Sequence, residues 1–242
     1  MTARHRVAAG ALASIMVAGC LPAVVTPEGR DIATLYVGFM VVATVFVLAV
    51  IVPTTIAILR FRGRRGDELP AQRRGHLGIE ILWTAIPAVT VVGLFIATLL
   101  VLARVEATDA PGATEIRVTA FRWGWTFEYP QNGVAVSGIG TPGPEVAVPV
   151  DEPITLTMNS VDVVHSFYVP VFLFKRDVVP GRETTFQFTV EEAGRYGGQC
   201  AEYCGVFHAR MPFAVVAMPR AEFDAWLAGA PRASASPSPA TP

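Results

Sequence analysis

Two long stretches without a charged residue constrain this chain more than any other feature of its sequence. Residues 32–59 and 81–103 contain no Asp, Glu, Lys or Arg. About 20 apolar residues cross the hydrocarbon core of a bilayer, so both stretches are predicted to be transmembrane helices. Pro53 and Pro87 lie inside them, and membrane helices tolerate proline better than soluble ones. The alternative is a pair of buried core helices in a soluble protein, which are usually shorter.

The charges between the two stretches predict their orientation. Residues 60–76 carry six arginines against Asp67 and Glu68. Short arginine-rich loops stay in the cytoplasm, so everything after residue 103 is expected outside. The predicted organisation is an exterior segment at 20–31 and a helical hairpin at 32–104 with a cytoplasmic loop at 60–78.

The N-terminus resembles a bacterial lipoprotein signal. Arg4 and Arg6 precede an apolar run, and "VAGC" places small residues directly before Cys20. We expect a signal peptide at 1–19 and a lipid on the sulfur of Cys20. The alternatives are an ordinary signal peptide or an uncleaved anchor with an incidental cysteine.

Residues 105–229 are predicted to form an exterior all-β domain, a sandwich or barrel of antiparallel strands. Short alternating runs such as "EIRVTAFRW", "ITLTM", "TTFQFTV" and "FAVVAM" are separated by Pro/Gly-rich turns. From residue 104 onward the chain holds 15 Asp and Glu against 10 Lys and Arg, an acidic balance. The low-complexity tail 230–242 is expected to be disordered. No nucleic-acid partner is expected.

The stretch "GGQCAEYCGVFHARM" raises the question of a metal. Cys200 and Cys204 outside the cytoplasm could form a disulfide. Zinc favours C-x2-C spacing and has no use for a thioether, whereas two thiolates with His208 and Met211 are a soft ligand set that suits copper. One cysteine suffices for a mononuclear blue-copper site, and two permit both sulfurs to bridge a copper pair. His165 is the remaining histidine of the exterior domain and the candidate for a further ligand.

These motifs together resemble a known family. C-x-E-x-C-G-x-x-H-x-x-M at 200–211, H-S-x-x-V-P at 165–170, "EILWTAIP" at 80–87, "FRWGWTFEYP" at 121–130 and "FLFKRDVVPGR" at 172–182 are similar to subunit II of haem–copper cytochrome c oxidases of the bacterial aa3 type. The resemblance implies a two-helix transmembrane hairpin followed by a cupredoxin-like Greek-key barrel or sandwich that holds a binuclear copper-A centre.

The resemblance also implies metal ligands. Cys200 and Cys204 would bridge both coppers. His165 and Met211 would complete one ion, and His208 with the backbone carbonyl of Glu202 would complete the other. The Glu202 side chain would bind a magnesium ion shared with subunit I.

Further matched positions imply roles outside the copper centre. Trp123 would take electrons from cytochrome c, and Glu80 would lie at the entrance of a proton pathway. Asp162 and Asp177 match acidic positions near the copper and the subunit interface. Gly124 departs from the family, where a tyrosine is common. The acidic surplus would steer a basic cytochrome c, an effect that salt weakens.

The function implied is electron transfer in a bacterial plasma membrane, with two membrane passes and the C-terminal domain on the periplasmic side. Electrons would pass from cytochrome c through copper A to haem a of subunit I, where oxygen becomes water with proton pumping; subunit III is a further partner. The haems belong to subunit I, not to this chain.

Three other classes of protein share parts of this pattern. A quinol oxidase subunit II lacks the copper ligands, while all six positions are present here. Nitrous oxide reductase carries a similar loop in a much longer soluble enzyme. A copper-delivery lipoprotein does not explain the hairpin with Glu80 and Trp83.

Overall fold

The computed structural model describes residues 21–61 and 75–232. The predicted signal peptide, Cys20, most of the predicted cytoplasmic loop and the tail beyond residue 232 lie outside the described residues. The described chain comprises three α-helices, two short 3-10 helices and ten strands. It divides into an apolar helical unit, residues 34–102, and a second unit that contains residues 21–33 and 103–232.

The two predicted membrane helices are present. Helix α1 is Pro27–Arg60 and helix α2 is Leu77–Val105, with 34 and 29 residues. At about 1.5 Å per residue both exceed the roughly 30 Å hydrocarbon thickness of a bilayer. Both are long and apolar enough to cross a membrane, and their large apolar side chains are exposed along their length.

Helix α1 begins five residues before the uncharged stretch, and a local cap explains why. The Gly29 N–H donates to Thr26 Oγ1 at 3.0 Å, so Thr26 caps the helix, and Pro27 occupies the first helical position. The segment before the helix packs against the β domain, since the Glu191 N–H donates to the Val25 carbonyl at 3.0 Å and Arg30 pairs with Glu191. This charged and capped turn was not apparent from apolar patterning alone.

The β domain is a sandwich of two five-stranded sheets, ordered β3-β2-β1-β5-β8 and β4-β10-β9-β6-β7. The strands are β1 Thr114–Phe121, β2 Gly124–Tyr129, β3 Val134–Ile139, β4 Glu145–Pro149, β5 Pro153–Ser160, β6 His165–Val169, β7 Phe174–Val178, β8 Thr184–Thr189, β9 Gly194–Cys200 and β10 Pro212–Met218. Helix α3, Arg220–Gly229, follows β10. The predicted architecture of two apolar helices followed by a β-sandwich is confirmed.

The alternating pattern predicts antiparallel strands throughout, but two of the strand pairs are parallel. Strand β1 pairs with β5 in parallel, and β10 pairs with β4 in parallel. Alternation of apolar and polar residues shows which face of a strand is buried, but it carries no information on the direction of the neighbouring strand. Here the partners are distant in sequence, so no hairpin turn fixes their direction.

An aromatic core supports one end of the sandwich. The ring of Phe213 lies 4.5 Å from that of Phe167, 5.2 Å from Trp125 and 5.8 Å from Phe127 between centroids. All four side chains are buried. Phe213 follows Met211 by two residues, so this packing fixes the backbone where the candidate metal loop returns to the sheet.

Replacing Phe213 by Ala tests this support. Removing a buried phenyl ring leaves a cavity, and we expect the free energy of unfolding to fall by about 3–5 kcal/mol. The control is Ile139→Ala, whose side chain is 70% exposed and whose effect should stay within about 0.5 kcal/mol. Urea unfolding of the full chain in detergent, followed by tryptophan fluorescence, measures both. Equal urea midpoints for Phe213→Ala and Ile139→Ala would contradict the packing of Phe213 in the aromatic core.

Candidate metal centre

The sheet register brings the two ends of the candidate metal loop together. Cys200 ends β9 and Pro212 begins β10, and these antiparallel strands pair Gln199 with Pro212. The Cys200 N–H donates to the Met211 carbonyl at 3.1 Å. Phe167 of β6 pairs with Cys200 of β9. His165 begins β6 two residues earlier and therefore lies beside the loop. Three neighbouring strands therefore hold the candidate ligands.

The two cysteines and two histidines lie at metal-ligand separations. The Cys200 and Cys204 Sγ atoms are 3.9 Å apart. His165 Nδ1 lies 3.8 Å from Cys200 Sγ, and His208 Nδ1 lies 3.6 Å from Cys204 Sγ. Two ligands at about 2.0–2.3 Å from one ion lie roughly 3.3–3.8 Å from each other. The imidazoles thus flank the sulfur pair, one beside each thiol.

The two remaining candidate ligands approach the same sulfurs. Met211 Sδ lies 3.8 Å from Cys204 Sγ, and the Glu202 backbone carbonyl oxygen lies 3.3 Å from Cys200 Sγ. Cys200, Cys204, Met211 and His165 are buried, and His208 is half-buried. The structure therefore gathers all six sequence-predicted donors around one pair of sulfurs, in a place that largely excludes solvent.

Asp162 orients His165, a role that the sequence did not reveal. His165 Nε2 lies 2.9 Å from Asp162 Oδ1, which leaves Nδ1 facing Cys200. A carboxylate on the far nitrogen fixes the ring and its tautomer. Partial burial opposes ionisation of Asp162, but its hydrogen bonds with His165 and with the N–H groups of Arg122 and Val163 lower the pKa of its carboxyl. The carboxylate is thus held ionised beside the ring.

The two thiols differ in their readiness to ionise. Burial opposes the charge on Cys200, but hydrogen bonding with His165 outweighs it and lowers the pKa of this thiol. Burial and the neighbouring Cys200 charge raise the pKa of Cys204. Cys200 therefore ionises more readily than Cys204, and a metal bound to both sulfurs would require both thiols to lose their protons.

The chemistry of this donor set fits copper. Both cysteines are free thiols, at a separation well beyond the roughly 2.05 Å of a disulfide bond. His165, Cys200 and Cys204 form a compact group whose ligand atoms lie within 4.8 Å of one another. Thiolates, imidazoles and a thioether are soft ligands that suit copper.

The side chain of Glu202 forms an ion pair beside the candidate metal loop. Its carboxylate pairs with Lys175, whose Nζ also lies 3.3 Å from Asp177 Oδ1. The carboxylate thus shares one ammonium group with Asp177, while the backbone carbonyl of Glu202 faces the Cys200 thiol.

Trp123 lies between the metal loop and the surface. Its half-buried indole meets the Phe207 ring edge-on, with centroids 4.8 Å apart, and a Cβ on Gly205 would lie 3.4 Å from it. Next to Trp123, position 124 is a glycine and not the tyrosine common in the family. A larger residue would not fit, because a Cβ on Gly124 would collide with the Gly138 carbonyl and the Phe121 ring. Glu80 lies in the first turn of α2 and is exposed.

Comparisons with known proteins agree with this geometry. Residues 14–101 match the family "Cytochrome C oxidase subunit II, transmembrane domain", and residues 141–218 match "Cytochrome C oxidase subunit II, periplasmic domain". The chain is 32% identical to cytochrome c oxidase subunit 2 of Alkalihalophilus pseudofirmus over 89% of this chain and 65% of that protein. It is 31% identical to the subunit 2 of Cereibacter sphaeroides, over 75% of this chain and 73% of that one.

A solved structure is also similar. It is the periplasmic domain of subunit II of cytochrome oxidase (CoxB) from Bradyrhizobium japonicum. The match covers 52% of this chain and 96% of that chain, with 33% sequence identity and a TM-score of 0.47. The chain spans about two thirds of the length of the Alkalihalophilus relative, and somewhat more of the Cereibacter one. On these matches over both its helical and its β parts, the chain belongs to the cytochrome c oxidase subunit II family.

Proposed function

We propose that this chain is the electron-transfer subunit of a bacterial cytochrome c oxidase and holds a binuclear copper centre. The observation that carries the proposal is the convergence of four donors, two imidazoles, a thioether and a backbone carbonyl, on a pair of thiols whose sulfurs lie 3.9 Å apart. A mononuclear site needs one cysteine, whereas here each thiol has its own imidazole. Two flanked thiolates suit two ions that share both sulfurs.

Each donor has an assigned place in this centre. Cys200 and Cys204 would bridge the ions. His165 and Met211 would complete one ion, while His208 and the Glu202 carbonyl would complete the other. A bound copper pair would supply a single-electron carrier.

The protein around these donors favours electron transfer over bond chemistry. The ligands lie on or between paired strands, so their positions are fixed before the metal binds. Asp162 fixes the His165 ring, and the buried sulfurs admit little water. A rigid and dry ligand set changes its geometry little when the charge of the centre changes.

The wider role follows the family. We propose that cytochrome c donates electrons near Trp123 and that haem a in subunit I receives them, with oxygen reduction and proton pumping in the assembled complex that includes subunit III. Glu80 would serve the proton pathway, and Glu202 would bind magnesium toward subunit I. The β domain would face the periplasm, and Cys20 would carry a lipid.

Copper loading of the full chain tests the binuclear centre. An electron shared by two equivalent copper nuclei gives a seven-line hyperfine pattern in the EPR spectrum, and this is the expected result. Cys204→Ser should abolish that pattern, because one bridging sulfur is lost. A four-line pattern in the unaltered chain, from a single copper, would contradict the proposal.

Cys20→Ser is the matched control for this experiment. It removes the remaining cysteine of the sequence, which is not one of the six proposed donors, and should keep the seven-line spectrum. The same variant should lose labelling by a palmitate analogue, which the unaltered chain should show in cells. Labelling that persists without Cys20 would refute lipidation and leave the copper assignment intact.

Replacing Trp123 by Phe tests the proposed point of electron uptake. The smaller ring loses contact with Phe207 and Gly205, both in the metal loop, so electron uptake from reduced cytochrome c should slow by about tenfold or more while the copper spectrum stays unchanged. Trp226→Phe, on α3, is the control and should retain the original rate. Stopped-flow absorbance measures both. An unchanged rate in Trp123→Phe would exclude this indole as the point of uptake.

A further inference from the structure

We infer that Arg122 is a positioning residue of the metal centre, which acts through the Asp162 carboxylate on His165 and so raises the reduction potential of the copper held there. The inference rests on the proposed electron-transfer function. It goes beyond that function because it gives control of the potential to a side chain that is not a metal ligand.

Asp162 lies in a fixed loop between β5 and β6, three residues before His165. The loop is attached to the end of β1, because the Val161 N–H donates to the Ala120 carbonyl at 3.2 Å. The carboxylate is therefore placed between the residue that follows β1 and the imidazole that begins β6.

The two oxygens of Asp162 have different partners. Oδ1 lies 2.9 Å from His165 Nε2 and accepts the Val163 N–H at 2.6 Å. Oδ2 accepts the Arg122 backbone N–H at 2.7 Å, and Arg122 Nε lies 3.4 Å from it. Within residues 21–61 and 75–232, both contacts of Oδ2 come from Arg122. One carboxylate thus joins an arginine to the imidazole that faces Cys200.

The burial of this group of side chains separates it from an ordinary surface ion pair. Exposed pairs contribute little, because water screens both partners. Here the Arg122 side chain is 51% exposed, the Asp162 side chain 20% and the His165 side chain 0%. Screening weakens as burial increases, so a change in the carboxylate's charge is felt strongly at the ring.

The two candidate imidazole ligands differ in this respect. His208 is half-buried, and its Nδ1 faces Cys204 Sγ at 3.6 Å. Among the residues that the structure describes, no carboxylate pairs with His208, whereas His165 pairs with Asp162. Control by a neighbouring charge is therefore built at His165.

The direction of the effect follows from the charges. A carboxylate hydrogen-bonded to the far nitrogen makes an imidazole a stronger donor to a metal on the other nitrogen. A stronger donor favours the more positive, oxidised state of a bound metal. The Arg122 guanidinium attracts charge on the same carboxylate, weakens this donation and so favours the reduced state. Loss of the guanidinium should lower the reduction potential.

A redox titration of the copper-loaded full chain in detergent, against one-electron mediators and followed by EPR, measures this effect. Arg122→Gln should lower the equilibrium constant for one-electron reduction of the centre by about fivefold, which is roughly 40 mV at 59 mV per tenfold. A fall of less than about threefold, or a rise, would overturn the inference.

Two further variants separate charge from shape and position. Arg122→Lys keeps the positive charge and should stay within about twofold of the unaltered chain; a larger fall would show that charge is not the cause. Arg195→Gln removes an arginine of similar exposure, 56%, from its surface pair with Glu145 at the start of β9, whereas Cys200 ends that strand. It should also stay within about twofold, and a fall equal to that of Arg122→Gln would refute a specific role for Arg122.

A double-mutant cycle tests whether Arg122 acts through Asp162. Asp162→Asn removes the carboxylate charge but keeps an oxygen that His165 Nε2 can bond, and it should raise the equilibrium constant. In this background, Arg122→Gln should change the constant by less than about twofold, because the carboxylate it acts on is gone. A larger fall that persists would contradict the assigned path. If Asp162→Asn loses the copper spectrum, the comparison of Gln and Lys at position 122 decides the inference.

The EPR spectra keep this test distinct from that of the copper centre. Loss of the seven-line pattern in the unaltered chain would be a failure of the proposed function. A seven-line pattern in the unaltered chain and in Arg122→Gln, with equal equilibrium constants, would be a failure of this inference alone.

Discussion

The hydrogen bond from the Cys200 N–H to the Met211 carbonyl is the interaction on which the rest of the site depends. It closes the loop that leaves β9 and returns in β10, so that two cysteines, a histidine and a methionine share one small volume. Beneath it, Phe213 packs among buried aromatic rings and fixes the return strand. Beside it, β6 brings His165 into register with the same strands. The fold and the candidate ligand set are therefore linked, because β-sheet pairing positions the soft donors.

Charge is distributed unevenly over this construction. Carboxylates near the sulfurs are each engaged, Asp162 with His165 and Arg122, and Glu202 with Lys175. Lys175 is shared between Glu202 and Asp177, so one ammonium group faces two carboxylates at this edge of the site.

Much of this account could be predicted from sequence because the decisive signals are local. Two uncharged stretches predicted α1 and α2, and the spacing of Cys200, Cys204, His208 and Met211 predicted that these four side chains lie close together. Local spacing could not connect His165 with this loop, because its contact with Cys200, 35 residues away, depends on strand pairing. The family resemblance and the small number of histidines suggested it instead. Apolar patterning could not reveal features that arise from tertiary packing or from single polar contacts. These are the parallel pairs β1/β5 and β4/β10, the cap at Thr26 and the hydrogen bond between Asp162 and His165.

The central claim is that Cys200 and Cys204 bridge two metal ions, and anomalous diffraction at the copper edge from crystals of the copper-loaded chain tests it most directly. The account predicts two copper peaks, both within bonding distance of both Sγ atoms, with His165 and His208 on opposite ions. A single copper peak bound to one cysteine, or continuous density of a disulfide between Cys200 and Cys204 with no copper, would contradict it.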